Sequence, residues 1–77
     1  MKNYETVLKV TGMTCAHCAA HVTEELSALA GTEKVTVDLR PEGTSSVSVI
    51  SSRQPGDQEL REAVAEAGSY TVTDIIR

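Results

Sequence analysis

Val35-Thr36-Val37-Asp38-Leu39-Arg40-Pro41-Glu42-Gly43-Thr44-Ser45-Ser46-Val47-Ser48-Val49 is the stretch on which the fold turns. Val35, Val37 and Leu39 alternate with Thr36 and Asp38, and after a break Val47 and Val49 alternate with Ser46 and Ser48. A period of two sends successive side chains to opposite faces of an extended chain, so both halves read as strands. Arg40-Pro41-Glu42-Gly43 between them supplies turn chemistry, and the whole stretch reads as a hairpin.

Outward from the hairpin, the period changes on both sides. Ala19, Val22, Leu26 and Leu29 recur at steps of three and four, which lines one face of a helix, with Thr14 as its N-cap and Gly31 as its stop. On the other side Gln54-Pro55-Gly56 breaks the chain, Asp57 caps a second helix, and Leu60, Ala63, Val64 and Ala67 share a face up to the stop at Gly68. Farther out, Tyr4, Thr6, Leu8 and Val10 alternate with Glu5, Val7, Lys9 and Thr11 in a first strand, and a last strand runs from Tyr70 to Ile75. The order is βαββαβ. Right-handed crossovers place both helices on one face of a four-stranded antiparallel sheet, an α+β, ferredoxin-like open-faced sandwich.

A chain of 77 residues closes one hydrophobic core, so residues 1–77 are read as a single domain. Without Trp or Phe, and with only two Tyr, that core is built from Val, Leu, Ile and Ala. The formal charge of −4, from 7 Lys and Arg against 11 Asp and Glu, offers no basic footprint for phosphate backbones, which argues against nucleic acid as a partner. No apolar run is long enough to insert in a bilayer, and Met1-Lys2-Asn3-Tyr4-Glu5 leads straight into the first strand without a signal-peptide core. The chain is therefore read as cytoplasmic. Ending soon after the last strand, at Ile76-Arg77, it is also read as free-standing.

The chemistry is concentrated in Gly12-Met13-Thr14-Cys15-Ala16-His17-Cys18, where the first strand hands over to the first helix. The two cysteines are three apart, so a disulfide between them would close a tiny loop and restrict the unfolded chain little; a metal or redox site is the better reading. At i and i+3 of a helix their Cβ atoms stand about 5 to 6 Å apart. Two sulfurs on opposite sides of one ion stand about 4.6 Å apart, taking twice the zinc–sulfur bond as a guide. Cys18 in the first turn meets unpaired N–H groups and the positive end of the helix dipole, which favour its thiolate. Soft thiolates select soft ions such as Cu(I), and no carboxylate lies in the loop. Zinc prefers four ligands and would need His17, His21 or a partner molecule to complete them.

A bare CxxC serves redox enzymes, zinc knuckles and metal carriers alike. Here the stretch resembles the heavy-metal-associated domain family of copper chaperones and transport-ATPase metal-binding domains, whose signature is Gly-Met-Thr-Cys-x-x-Cys after a first strand. The resemblance covers nearly the whole chain: Val22 and Leu26 fall at apolar helix positions of the family, and Ala67-Gly68 precedes a Tyr, with Ser69 inserted where the family commonly pairs Gly with Tyr. It implies a cytosolic, non-enzymatic carrier of one Cu(I), held by Cys15 and Cys18, with Tyr70 as an accessory candidate and Met13 packed beneath the loop; His17 is an accessory candidate from its own place inside the loop, where a solvated surface histidine is the other reading. It also implies transfer by ligand exchange, through a shared-thiolate intermediate, to a P-type copper-transporting ATPase and its metal-binding domains, with a copper-bridged homodimer as a further assembly.

Alternatives within the same chemistry are a metal-binding domain of such an ATPase and a mercury-, zinc- or cadmium-binding homologue. A thiol–disulfide oxidoreductase is the rival from another class, since CxxC at a helix N-terminus is also a redox layout. Thioredoxin-like sites carry a Trp before the first Cys and a Pro between the pair; this chain has Thr14, Ala16 and His17 instead. The acidic second helix, with Glu59, Glu62 and Glu66, reads as a solvated face that could steer a basic partner.

Overall fold

The structure is a computed structural model that describes residues 3–77; Met1 and Lys2, on which the leaderless opening and the start of the 1–77 domain were read, lie outside the described residues. Six elements follow one another: β1 (Tyr4–Thr11), α1 (Ala16–Ser27), β2 (Thr32–Asp38), β3 (Ser45–Ser51), α2 (Asp57–Ala67) and β4 (Thr71–Ile76). The strands form one sheet in the order β2-β3-β1-β4, all neighbours antiparallel. Both helices pack on one face of it, α1 leaning over β2 and α2 over β4. This is the ferredoxin-like βαββαβ sandwich read from the period changes.

The register explains the core. Leu8 faces Val47 and Thr6 faces Val49 across β1 and β3, so the inward set of each strand meets the inward set of its neighbour. From the helix side, Val22 and Leu26 of α1 and Leu60, Ala63 and Val64 of α2 close over Leu8, Val10, Val47, Val49 and Val72. Leu29 packs against this cluster from beyond the end of α1. Two inward hydroxyls are satisfied: Ser45 Oγ accepts from the Arg40 N–H at 2.9 Å, and Ser51 Oγ donates to the Arg53 carbonyl at 2.7 Å. Thr6 Oγ1 is buried with no hydrogen-bond partner among the described residues.

The element ends differ from the sequence reading in four places. The N-cap of α1 is Cys15, not Thr14: its backbone is extended, at φ −153° and ψ 171°, and its carbonyl accepts from the N–H groups of Cys18 and Ala19 at 3.1 and 3.3 Å. The N-cap of α2 is Gly56, not Asp57, and Glu59 reaches back to accept from the Gly56 N–H at 3.0 Å. In both cases the cap is set by backbone conformation, and the polar residue favoured by side-chain chemistry sits one position away. Helix α1 ends at Ser27 with Ala28 as C-cap, and Gly31 belongs to the turn into β2 rather than to the helix end. The last strand is shifted by one residue, because Tyr70 is taken up by the loop before it.

Two poles result. At one, β1 ends at Thr11 opposite Thr71, where β4 begins, and Val10 lies opposite Ser45, where β3 begins. The β1–α1, β2–β3 and α2–β4 loops are thereby gathered at this pole. At the other, Val7 lies opposite Ile76 and Tyr4 opposite Ser51, bringing the start of β1 and the end of β4 together. There Arg53 ties the loops down, donating from Nε to the Ala30 carbonyl at 2.8 Å and pairing its two terminal nitrogens with the Glu59 carboxylate at 3.1 and 2.8 Å. This pairing, with the Gly56 N–H, holds the Glu59 carboxyl down to about 2.

Candidate metal centre

The β1–α1 loop carries the chain from the sheet edge to the helix start through Gly12, whose φ of +96° is a left-handed conformation that favours glycine. Met13 then turns inward and is 1% exposed, anchoring the loop in the core. Thr14 and Cys15 are exposed, and the chain enters α1 at Ala16.

This path brings the two cysteine sulfurs within 3.6 Å of each other, both as free thiols. Cys15 is exposed at the N-cap, while Cys18, one turn on, is half-buried and packs against the core cluster. The pair is therefore shielded on the protein side and open on the solvent side. Holding an ion between opposed sulfurs requires the sulfurs to spread by about 1 Å, to about 4.6 Å. The exposed Cys15 side chain is free to make that adjustment by rotation.

Cys18 is lowered from the ordinary thiol value of 9.0 to about 6. The largest cause is the Tyr70 hydroxyl, which donates to the thiolate; the backbone of Thr14 and the Cys15 thiol add to it, and desolvation opposes it. Reciprocally, the Tyr70 phenol is raised, first by its hydrogen bond to Cys18 and then by burial. Tyr70 is half-buried in the α2–β4 loop and packs against the core cluster, and a methyl built on Gly12 would meet its ring at 3.6 Å, so the inserted Ser69 does not carry it away from the β1–α1 loop. Cys18 is thereby largely ionised near neutral pH, the form in which a thiol acts as a nucleophile or a metal ligand.

His17 and His21 are both exposed on α1. Among the described residues, no group of three or more His, Cys, Asp and Glu is placed to hold an ion, so the structure brings Cys15 and Cys18 together and does not gather either histidine to them. Sequence reasoning missed the part played by Gly68. The Tyr70 ring lies against it, and only a contact between residues two apart, invisible to periodicity, reveals this. Among the described residues no helix is long and apolar enough to cross a membrane.

Residues 7–69 match the family Heavy-metal-associated domain. Over 70 residues the chain is 33% identical to the Copper-exporting P-type ATPase of Bacillus subtilis (strain 168), a match that spans 91% of this chain but 8% of the length of that relative. Among solved structures it is similar to oxidized MerP from Ralstonia metallidurans CH34, at 30% identity and a TM-score of 0.68 over 95% of this chain and 100% of the other. A protein of Bacillus anthracis str. Ames, provisionally described as copper-ion-binding, aligns at 26% identity and a TM-score of 0.67 over 94% and 97% of the two chains. The CsoZ metallochaperone shares the fold, with a TM-score of 0.73 at 14% identity over 95% of this chain and 100% of that one.

Proposed function

The chain belongs to the Heavy-metal-associated domain family, and on that footing we propose that it carries one Cu(I) ion between the thiolates of Cys15 and Cys18. The observation that supports this most directly is the two-sulfur site itself: 3.6 Å between the sulfurs, and no third His, Cys, Asp or Glu grouped with them among the described residues. Soft ligands in low number suit Cu(I), whereas zinc would be left short of its four ligands.

The ion is cargo. An exposed Cys15 leaves room for an incoming thiolate to bond to the ion before either resident sulfur departs, so binding can be tight and transfer still rapid. The receiving protein in this proposal is a P-type copper-transporting ATPase, a reading supported by the likeness to the Bacillus subtilis relative. The carrier works in the cytoplasm without catalysing a reaction. Two copies sharing one ion would use the same four sulfurs. The same site would also serve within the ATPase chain itself. Hg(II) is the second reading, since it is likewise soft and satisfied by two thiolates.

The test is anaerobic titration of the reduced protein with Cu(I), followed by X-ray absorption at the copper edge. Uptake saturates near one ion per chain with two sulfur neighbours, and the Cys15→Ser, Cys18→Ser variant loses it. Stoichiometric binding retained by that variant would refute the site. Competition with Hg(II) under the same conditions separates the two ions. Turnover of a disulfide substrate that persists in the presence of a copper chelator would favour the oxidoreductase instead.

A further inference from the structure

His17 and His21 are the two imidazoles that the thiol pair leaves unused. Because α1 begins at Ala16, both lie inside regular helix, one turn apart. At 3.6 residues per turn, His21 stands about 40° around the axis from His17, whereas Val22 and Leu26 stand about 140° and 180° away from it. Val22 and Leu26 are buried in the core, and both histidines are exposed. The imidazoles therefore share one stripe of α1 on the side away from the sheet. Cys18 follows His17 in sequence but is turned from it by about 100°, and it packs against the core cluster. The thiol pair and the imidazole pair thus occupy different faces of one helix.

We propose that His17 and His21 form a second metal site, separate from the thiol pair, that takes a borderline divalent cation of the zinc, nickel or copper(II) class, with water filling its remaining positions. Imidazole nitrogen suits these ions, while soft Cu(I) belongs to the thiolates. Side chains at i and i+4 of a helix have Cβ atoms about 5 to 6 Å apart. Two nitrogens on one ion, each bonded at about 2.0 to 2.1 Å as in zinc sites, stand about 3 Å from each other, so the rings need only lean together. The same two helix positions supply the histidines of metalloprotease zinc helices. Ala20, beside the stripe, ends at its methyl and leaves that movement open. Glu24, exposed one turn beyond His21, brings negative charge that opposes the positive end of the helix dipole. No third His, Cys, Asp or Glu is grouped with the pair among the described residues, so the site holds its ion more weakly than a closed zinc centre and exchanges it with solvent. The inference depends on the register and exposure of α1 and stands whether or not the cysteines carry Cu(I).

The test uses the full chain with Cys15→Ser and Cys18→Ser, so that no thiol binds or reduces the probe, which is Cu(II) at mildly alkaline pH. One Cu(II) per chain is expected, and pulsed electron paramagnetic resonance is expected to show two imidazoles on it. Adding His17→Ala or His21→Ala raises the dissociation constant by about tenfold or more, since even groups that only support a ligand are worth that much. Both substitutions fall at exposed positions, and circular dichroism checks that each variant keeps its helices. Affinity unchanged in either variant, a single imidazole on the ion, or stoichiometric binding that survives loss of both histidines overturns the proposal. A second measurement leaves every residue in place: Zn(II) is added to the chain with its thiols already loaded with Cu(I). The ring-proton resonances of His17 and His21 are expected to shift together, and a shift of one ring alone, or of neither, overturns the proposal. Failure of the thiols to load refutes the carrier reading instead, and the Cu(II) result then still decides the imidazole site.

Discussion

Cys18 differs from an ordinary thiol because of what is near it, not because of what it is. At about 6 it is roughly nine-tenths ionised at pH 7, against about one-hundredth for a thiol at its ordinary value. Tyr70→Phe removes the largest cause while keeping the ring, so the titration midpoint of Cys18 rises and its alkylation by iodoacetamide at pH 7 slows several-fold, as site-resolved mass spectrometry would report. The slowing is smaller than the loss of thiolate alone, since a thiol of higher pKa is intrinsically more nucleophilic. An unchanged midpoint would remove Tyr70 from the site. The same depression couples to folding. Between pH 6 and 9 the unfolded chain holds the Cys18 proton that the folded chain has released, so stability of the apo protein rises with pH across that window. The contribution is complete above about 9 and is lost as pH falls through about 6. Urea midpoints should show the rise, and Cys18→Ser should remove it.

At the scale of the elements, β1 carries an avoidable defect. Thr6 points inward between Leu8 and the start of the strand, 1% exposed, and its hydroxyl has no partner among the described residues. Valine has the same shape without the unmet polar atom, so Thr6→Val is expected to stabilise the fold by about 1 kcal/mol in urea unfolding. A loss of stability would mean that the hydroxyl has a partner, such as water. What the sequence revealed about these elements follows the same division between periodic and non-periodic information. The alternation in β1 and β3 and the three-and-four spacing of Val22 and Leu26 fix which face is inward, and burial follows it. The caps escaped because Thr14 and Asp57 have the favoured side chains, while the chain direction places Cys15 and Gly56 at the helix starts. Cys15 and Cys18 could be read as a pair from spacing alone. The contacts of Tyr70 with Gly12 and Gly68 could not, since they join loops 56 residues apart in sequence through one side chain.

For the whole molecule, the core and the thiol pair are largely separate. Leu8, Val10, Leu26, Leu60, Val64 and the valines of β3 are buried without help from any ion, and Met13 already fastens the loop beneath the cysteines. Stripping the metal with a chelator is therefore expected to leave the far-ultraviolet circular dichroism and the cooperative thermal transition in place. This differs from small zinc modules, where binding and folding are one event. Collapse of the spectrum on chelation would show that the ion also organises the fold.

The pairing of Val7 with Ile76 and of Thr11 with Thr71 has a practical consequence for building with this domain. The start of β1 and the end of β4 both lie at the pole tied down by Arg53, away from the thiols. Polypeptide fused to either end trails from the back of the molecule, and several copies strung on one chain could each keep an unobstructed mouth.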